Sequence, residues 1–174
     1  MTPTPTPGQT VGPFFGYALP FPHDNELVPP GTPGAVRLGG RVYDGAGDPV
    51  PDAILELWQT DAAGRVVQQA GSLRRDGFTF TGFGRASTDR EGRYTFSTLQ
   101  PGAPFFAITV LARGLLNRLF TRAYLPEAAD DPFLATLDEA RRSTLVATRH
   151  ETGFVFDVHL QGERETVFLT YPRH

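Results

Sequence analysis

The 174-residue chain has no cysteine, which excludes disulfides, thiolate nucleophiles and zinc–thiolate sites together. No apolar run approaches the ~20 residues of a membrane-spanning helix. The amino terminus, MTPTPTPGQTVGPFF, lacks the basic cluster and apolar stretch of a secretion signal, so a cytoplasmic protein without membrane contact is expected. Blocks of Lys or Arg are also missing and the formal net charge is −3, which argues against a nucleic-acid grip built on clustered cations. There is no GxSxG, P-loop or dinucleotide fingerprint. His23, His150, His159 and His174 show no HxH or HxxxH spacing that would set two imidazoles on one metal.

What is abundant points to strands and loops. The chain has 19 glycines, 16 prolines and 14 phenylalanines, and its 40% hydrophobic content is enough for one sizeable core. Runs rich in β-branched and aromatic residues at 36–44, 53–60, 92–99, 107–113, 118–125, 154–161 and 166–171 predict seven strands. The turn signals DGAGDPVPD, DAAGR, TDREGR and QPG separate several of them. Together they predict an all-β fold, a two-sheet antiparallel β-sandwich, with one short helix at DDPFLATLDEARR, where Asp131 caps and Pro132 suits the first turn. Residues 1–33 read as an extended N-terminal arm, because TPTPTP cannot form a helix or central strand, and 34–174 as the sandwich. The aromatic residues of the arm call for burial against this domain or a neighbouring chain. The carboxylates sit mainly in turns, where Asp supports Asx-type bonding, so the residues alone describe a sandwich without an evident catalytic centre.

Three long stretches carry a resemblance: GRVYDGAGDPVPDAILELWQTDAAGRV (40–66), FTGFGRASTDREGRYTFSTLQPG (80–102) and RLFTRAYLPEAADDPFLATLDEARRSTLVA (118–147). They resemble the successive core motifs of the intradiol ring-cleavage dioxygenases. The segments TPGQTVGPFF, LARGLLNRLFTR and FDVHLQGERETVFLTY narrow the likeness to the alpha chain of the family's two-chain, protocatechuate-cleaving members. The resemblance implies a β-sandwich that acts with O2 on a catechol between its hydroxyl-bearing carbons.

In iron-bearing chains of this family, two tyrosines and two histidines hold Fe(III), since hard phenolates suit the ferric ion. Matched position by position, the first tyrosine falls on Val66, after Gly64-Arg65. The second has no counterpart in PGAPFF, and the histidines fall on Phe105 and Ala107. The resemblance therefore implies no catalytic residue and no metal or cofactor in this chain, with Fe(III) carried by a partner beta subunit. It also implies that Thr10, Gly12 and Pro13 of the arm, and Arg113 of the Ala-Arg-Gly motif, line the substrate site of that partner. Each keeps an ordinary alternative: a turn at Gly12-Pro13, a capping hydroxyl at Thr10, an intradomain ion pair at Arg113.

Other residues receive structural expectations. Gly114 permits backbone geometry closed to other residues at the strand exit. Trp58 is expected in the core, Gln59 as a loop brace, and Tyr94 and Tyr124 as packing residues. Family alpha chains carry a longer loop after the Pro-Gly turn, so Phe105 and Phe106 are expected to plug the vestigial pocket. Two other function classes stand beside this reading: a non-catalytic β-sandwich interaction module, and a metalloenzyme sufficient on its own.

Overall fold

A computed structural model describes residues 12, 14–69, 76–128 and 130–171. Nine strands follow in order: β1 (Ala35–Tyr43), β2 (Ile54–Trp58), β3 (Phe83–Ser87), β4 (Arg93–Leu99), β5 (Phe105–Leu111), β6 (Leu119–Tyr124), β7 (Thr148–His150), β8 (Gly153–Val155) and β9 (Val158–His159). One sheet runs β4-β1-β8-β7, with β9 also on β1; the other runs β3-β2-β5-β6. Alternation along the strands decides the core. Leu38, Val42, Phe96, Phe154 and Phe156 of the first sheet and its connections meet Leu55, Leu57, Phe106, Ile108, Val110 and Ala123 of the second.

The two-sheet expectation holds, with corrections. Antiparallel pairs dominate, but β8 and β9 lie parallel to β1. The β7–β8 hairpin lays β8 beside β1 in the same direction, which makes the first sheet mixed. The predicted strand 154–161 breaks in two at Phe156–Asp157, because these residues bond to β1 across the break. Phe156 N donates to Gly39 O at 2.8 Å, and Arg41 N donates to Asp157 Oδ1 at 2.8 Å. A Cβ on Gly40 would lie 1.9 Å from Phe156 O, so this crossing requires glycine. The run 166–171 makes only an isolated pairing, Phe120 with Leu169.

Three turns use one device. Asp44, Asp61 and Asp89 each accept, through Oδ1, the backbone N–H two and four residues on, at 2.8–2.9 Å. Gly47, Gly64 and Gly92, three residues after each Asp, take φ of 87°, 79° and 71°, the left-handed region where glycine is unstrained. The clustering of carboxylates in turn sequences is thereby explained.

The single predicted helix is two pieces. Leu134–Thr136 is one 3-10 turn opened by Asp131 Oδ1, which accepts from Phe133 N at 2.9 Å. Leu137 is then extended, and Asp138 caps a new helix, Glu139–Ser143, by accepting from Arg141 N at 2.8 Å. A second good capping residue so soon after the first restarts the helix instead of extending it. A short α1 (Phe15–Ala18) also interrupts the predicted extended arm, and Glu139–Ser143 is α2. Among the described residues no helix is long and apolar enough to cross a membrane.

Candidate functional site

The positions that match the family's iron ligands converge at one corner of the second sheet. The 61–65 turn is locked against the Pro101-Gly102 turn: Gly102 N donates to Asp61 O at 2.9 Å, and a Cβ on Gly102 would stand 2.3 Å from Gly64 N. Val66 pairs with Thr60, whose hydroxyl accepts from Ala103 N at 3.0 Å. Ala107 lies opposite Trp58 on one side and Arg122 on the other. The side chains at the matched positions are Val66, Phe105 and Ala107, none of which offers a phenolate or imidazole. Among the described residues no group of three His, Cys, Asp or Glu could hold a metal ion. The residues present do not fit Fe(III).

Aromatic and guanidinium groups fill part of this corner. Phe105 packs on Tyr124 with ring centroids 5.3 Å apart, and the Arg122 guanidinium sits 4.2 Å from the Phe105 centroid. Phe106 points the other way, as strand alternation demands, and packs on Phe154 in the sandwich core. Of the two expected plugs, only Phe105 faces the corner. Tyr124 is fully buried; its hydroxyl donates to Asp131 Oδ1 at 3.1 Å and accepts from Arg122 Nη1 at 3.0 Å. Burial pushes its phenol up from the ordinary value, opposed in part by Arg122. Tyr94, also raised by burial, donates to Phe156 O at 2.6 Å. Both tyrosines pack, as expected. Gln59 braces loops as expected, with Nε2 donating to Leu99 O at 2.8 Å. Trp58 departs from expectation: it is 48% exposed, because its place on β2 turns it to the outer face beside Ala107.

Arg113 stands at the far end of β5. Its Nη2 donates to Asp52 Oδ2 at 2.6 Å and its Nε reaches Asp52 Oδ1 at 3.4 Å, while its side chain stays 56% exposed. Gly114 takes φ +88° at the strand exit, as expected. Asp52 itself has φ +60°, a left-handed conformation that Asp tolerates, and this turns its carboxylate toward Arg113. The arm arrives at the same place: a Cβ on Gly16 of α1 would be 3.5 Å from Asp52 Cβ. Phe15 is buried there, whereas Phe14 and Tyr17 are 74% and 85% exposed. Arg85 ties the arm down by donating through Nη1 to Leu19 O at 2.7 Å while paired with Glu56 at 2.6 Å.

The structure thus brings Arg113 beside the arm. Gly12 adopts φ +71°, the geometry of a turn, and Thr10 and Pro13 lie outside the described residues. Asp52, beside Arg113, is the residue that sequence reasoning did not name; of the arm aromatics expected to be buried, Phe14 and Tyr17 are exposed on this chain.

Comparison with known proteins fixes the family. A family model described as Dioxygenase matches residues 11–126. The protocatechuate 3,4-dioxygenase alpha chain of Burkholderia cepacia is 39% identical, over 94% of this chain and 96% of that protein. The chain belongs to the intradiol ring-cleavage dioxygenases. Within this family it is also 33% identical to the protocatechuate 3,4-dioxygenase beta chain of Burkholderia cepacia, over 88% of this chain and 78% of that one. The dioxygenase domain of a dioxygenase–carbohydrate-binding fusion from Streptomyces sp. SirexAA-E shares the fold. It has a TM-score of 0.56 and 27% identity, covering 91% of this chain and 99% of that one. The chain thus belongs to a dioxygenase family while carrying Val66, Phe105 and Ala107, none of them a metal donor, at the matched positions.

Proposed function

We propose that this chain is the iron-free alpha subunit of a cytoplasmic protocatechuate 3,4-dioxygenase. The complex cleaves 3,4-dihydroxybenzoate with O2 between its hydroxyl-bearing carbons to 3-carboxy-cis,cis-muconate, at Fe(III) held by the beta subunit. The alpha chain shapes the pocket, excludes water and positions substrate through Arg113, with Thr10, Gly12 and Pro13 of the arm.

One observation carries this reading. Arg113 lies six residues beyond Ala107 along the strand direction of β5, about 20 Å at ~3.3 Å per residue. The side chain suited to an anionic aromatic is therefore at the opposite end of the strand from this chain's own relic donor positions. Substrate held at Arg113 must meet its metal on another chain. The chemistry of the guanidinium fits the role. Asp52 takes an N–H from Nε and one from Nη2, which leaves three of the five N–H groups for a carboxylate. Asp52 also limits the orientations the fork can adopt, a contribution to positioning and not to bond-breaking.

The test is expression with and without the beta chain, followed by iron content and protocatechuate-dependent oxygen uptake. Both should require the beta chain. In the complex, Arg113→Ala should raise KM for protocatechuate and leave iron occupancy unchanged. Stoichiometric iron and activity in the lone chain would overturn the reading.

A further inference from the structure

The outer face of the first sheet carries a cluster of charge that neither the fold nor the proposed reaction uses. Arg37, Gly39 and Arg41 alternate outward from β1, and Arg93 faces outward from β4. Arg41 and Arg93 are direct cross-strand partners, an arrangement in which like charges repel. Arg37 leans along its own strand toward them. Its Nε donates to Thr95 Oγ1 at 3.0 Å, on the residue opposite Gly39, and a Cβ on Gly39 would lie 3.4 Å from that nitrogen. Glycine at 39 thus leaves a flat floor over which the third guanidinium approaches the other two.

These groups line a cleft of about 370 Å³ walled by His150 and Thr152. Arg65, Arg85, Arg113 and Arg149 each meet a carboxylate. Among the described residues, Arg37, Arg41 and Arg93 form no ion pair. Asp157 lines the cleft, with Oδ1 accepting from Arg41 N. Asp89, across Arg93, spends Oδ1 on the backbone N–H groups of Glu91 and Arg93. Three clustered arginines therefore face solvent at the cost of mutual repulsion, a local violation of the kind that marks binding sites.

We propose that this cleft binds a compact polycarboxylate anion. Guanidinium forks match carboxylates bidentately. Such forks also bind phosphate, but Arg37, Arg41 and Arg93 are spread over two strands, so a ligand with several separated carboxylates engages more than one fork where a single phosphate does not. Two sources share this chemistry: a general cellular polycarboxylate, and the ring-opened tricarboxylate product. The second source rests on the proposed function; the affinity of the cleft does not.

The test is calorimetric titration of the purified full chain with citrate, with 3-carboxy-cis,cis-muconate, and with benzoate and inorganic phosphate as controls. Citrate or the muconate should bind about tenfold or more tighter than either control and weaken as salt rises. Tighter binding of the muconate assigns the cleft to the reaction product, and tighter binding of citrate to a general anion. Arg93→Gln should weaken binding about tenfold or more, yet should melt no lower than the parent in anion-free buffer, because repulsion with Arg41 is relieved. Arg37→Gln provides the same comparison if the first variant fails to fold. No saturable binding of either polycarboxylate to folded chain, phosphate binding as tightly, or undiminished binding by folded variants would overturn the proposal. Oxygen uptake by the two-chain complex is read separately, so loss of the proposed function leaves the titration result standing.

Discussion

The two ends of β5 contrast sharply. At Phe105 the strand enters a packed corner closed by Tyr124, Arg122 and residues of the 126–147 segment. At the exit, Arg113 is open to solvent and restrained by one carboxylate, Asp52, which the arm approaches at Gly16. The closed end is packed, while the open end keeps an exposed guanidinium. Under the proposed function, the strand's length keeps the packed end and the substrate-positioning end apart.

The sharpest way to break this contrast is at two adjacent residues of the closed end, one facing the core and one the corner. Phe106→Ala should cost ~3–5 kcal/mol in denaturant unfolding, because it empties the sandwich core. Phe105→Ala should cost clearly less, since that ring is only half-buried. Equal losses would mean that the corner is as much core as the sandwich interior. At the open end, Arg113→Ala should raise KM for protocatechuate about tenfold, or ~1.4 kcal/mol, with kcat changed less. The same variant should shift stability by under ~1 kcal/mol, as expected for an exposed ion pair. A stability loss with unchanged KM would return Arg113 to the role of an intradomain partner for Asp52.

Tyr124→Phe tests the closed end more finely. Removing a hydroxyl that bonds both Asp131 and Arg122 should cost about 1 kcal/mol and leave kinetics of the complex unaltered. The smallest effect lies on the other sheet. Burial holds the His159 imidazole below its ordinary value of 6.5, reinforced by Arg164 and opposed by Asp157. As pH falls through that value the unfolded chain takes up the proton first, so stability present above it is lost below it. Melting temperature should drop between pH ~7.5 and ~5.5. His159→Phe, which keeps the stacking on Tyr43, should flatten part of that drop. Parallel pH curves for the two chains would remove the assignment.

How much of this could be read beforehand depends on where the information resides. Strands with apolar alternation, such as β1, β4 and β5, were visible because one face is buried. β3 was not, because Phe83–Ser87 carries Gly84 and a buried Arg85 whose charge is satisfied only by Glu56 on the neighbouring strand. β7, Thr148–His150, is exposed throughout and leaves no pattern. The break of the predicted helix at Leu137 follows from competition between two caps, which periodicity does not register. Arg113 was singled out through family likeness and not through its pattern in the sequence. Asp52 closes the DGAGDPVPD turn signal, but its pairing with Arg113 depends on a left-handed conformation that only the folded chain displays.

The repeated Asp-x-x-Gly turns have a practical consequence. Each closes on the Asp carboxylate and a single glycine, so the side chains between them are spared. Ala46 and Arg90 occupy such spared, exposed positions on different turns. In a chain that lacks native thiols, a cysteine introduced at either place is unique and takes one probe. The pair of labels would turn the sandwich into a ruler for locating a bound companion chain by distance alone.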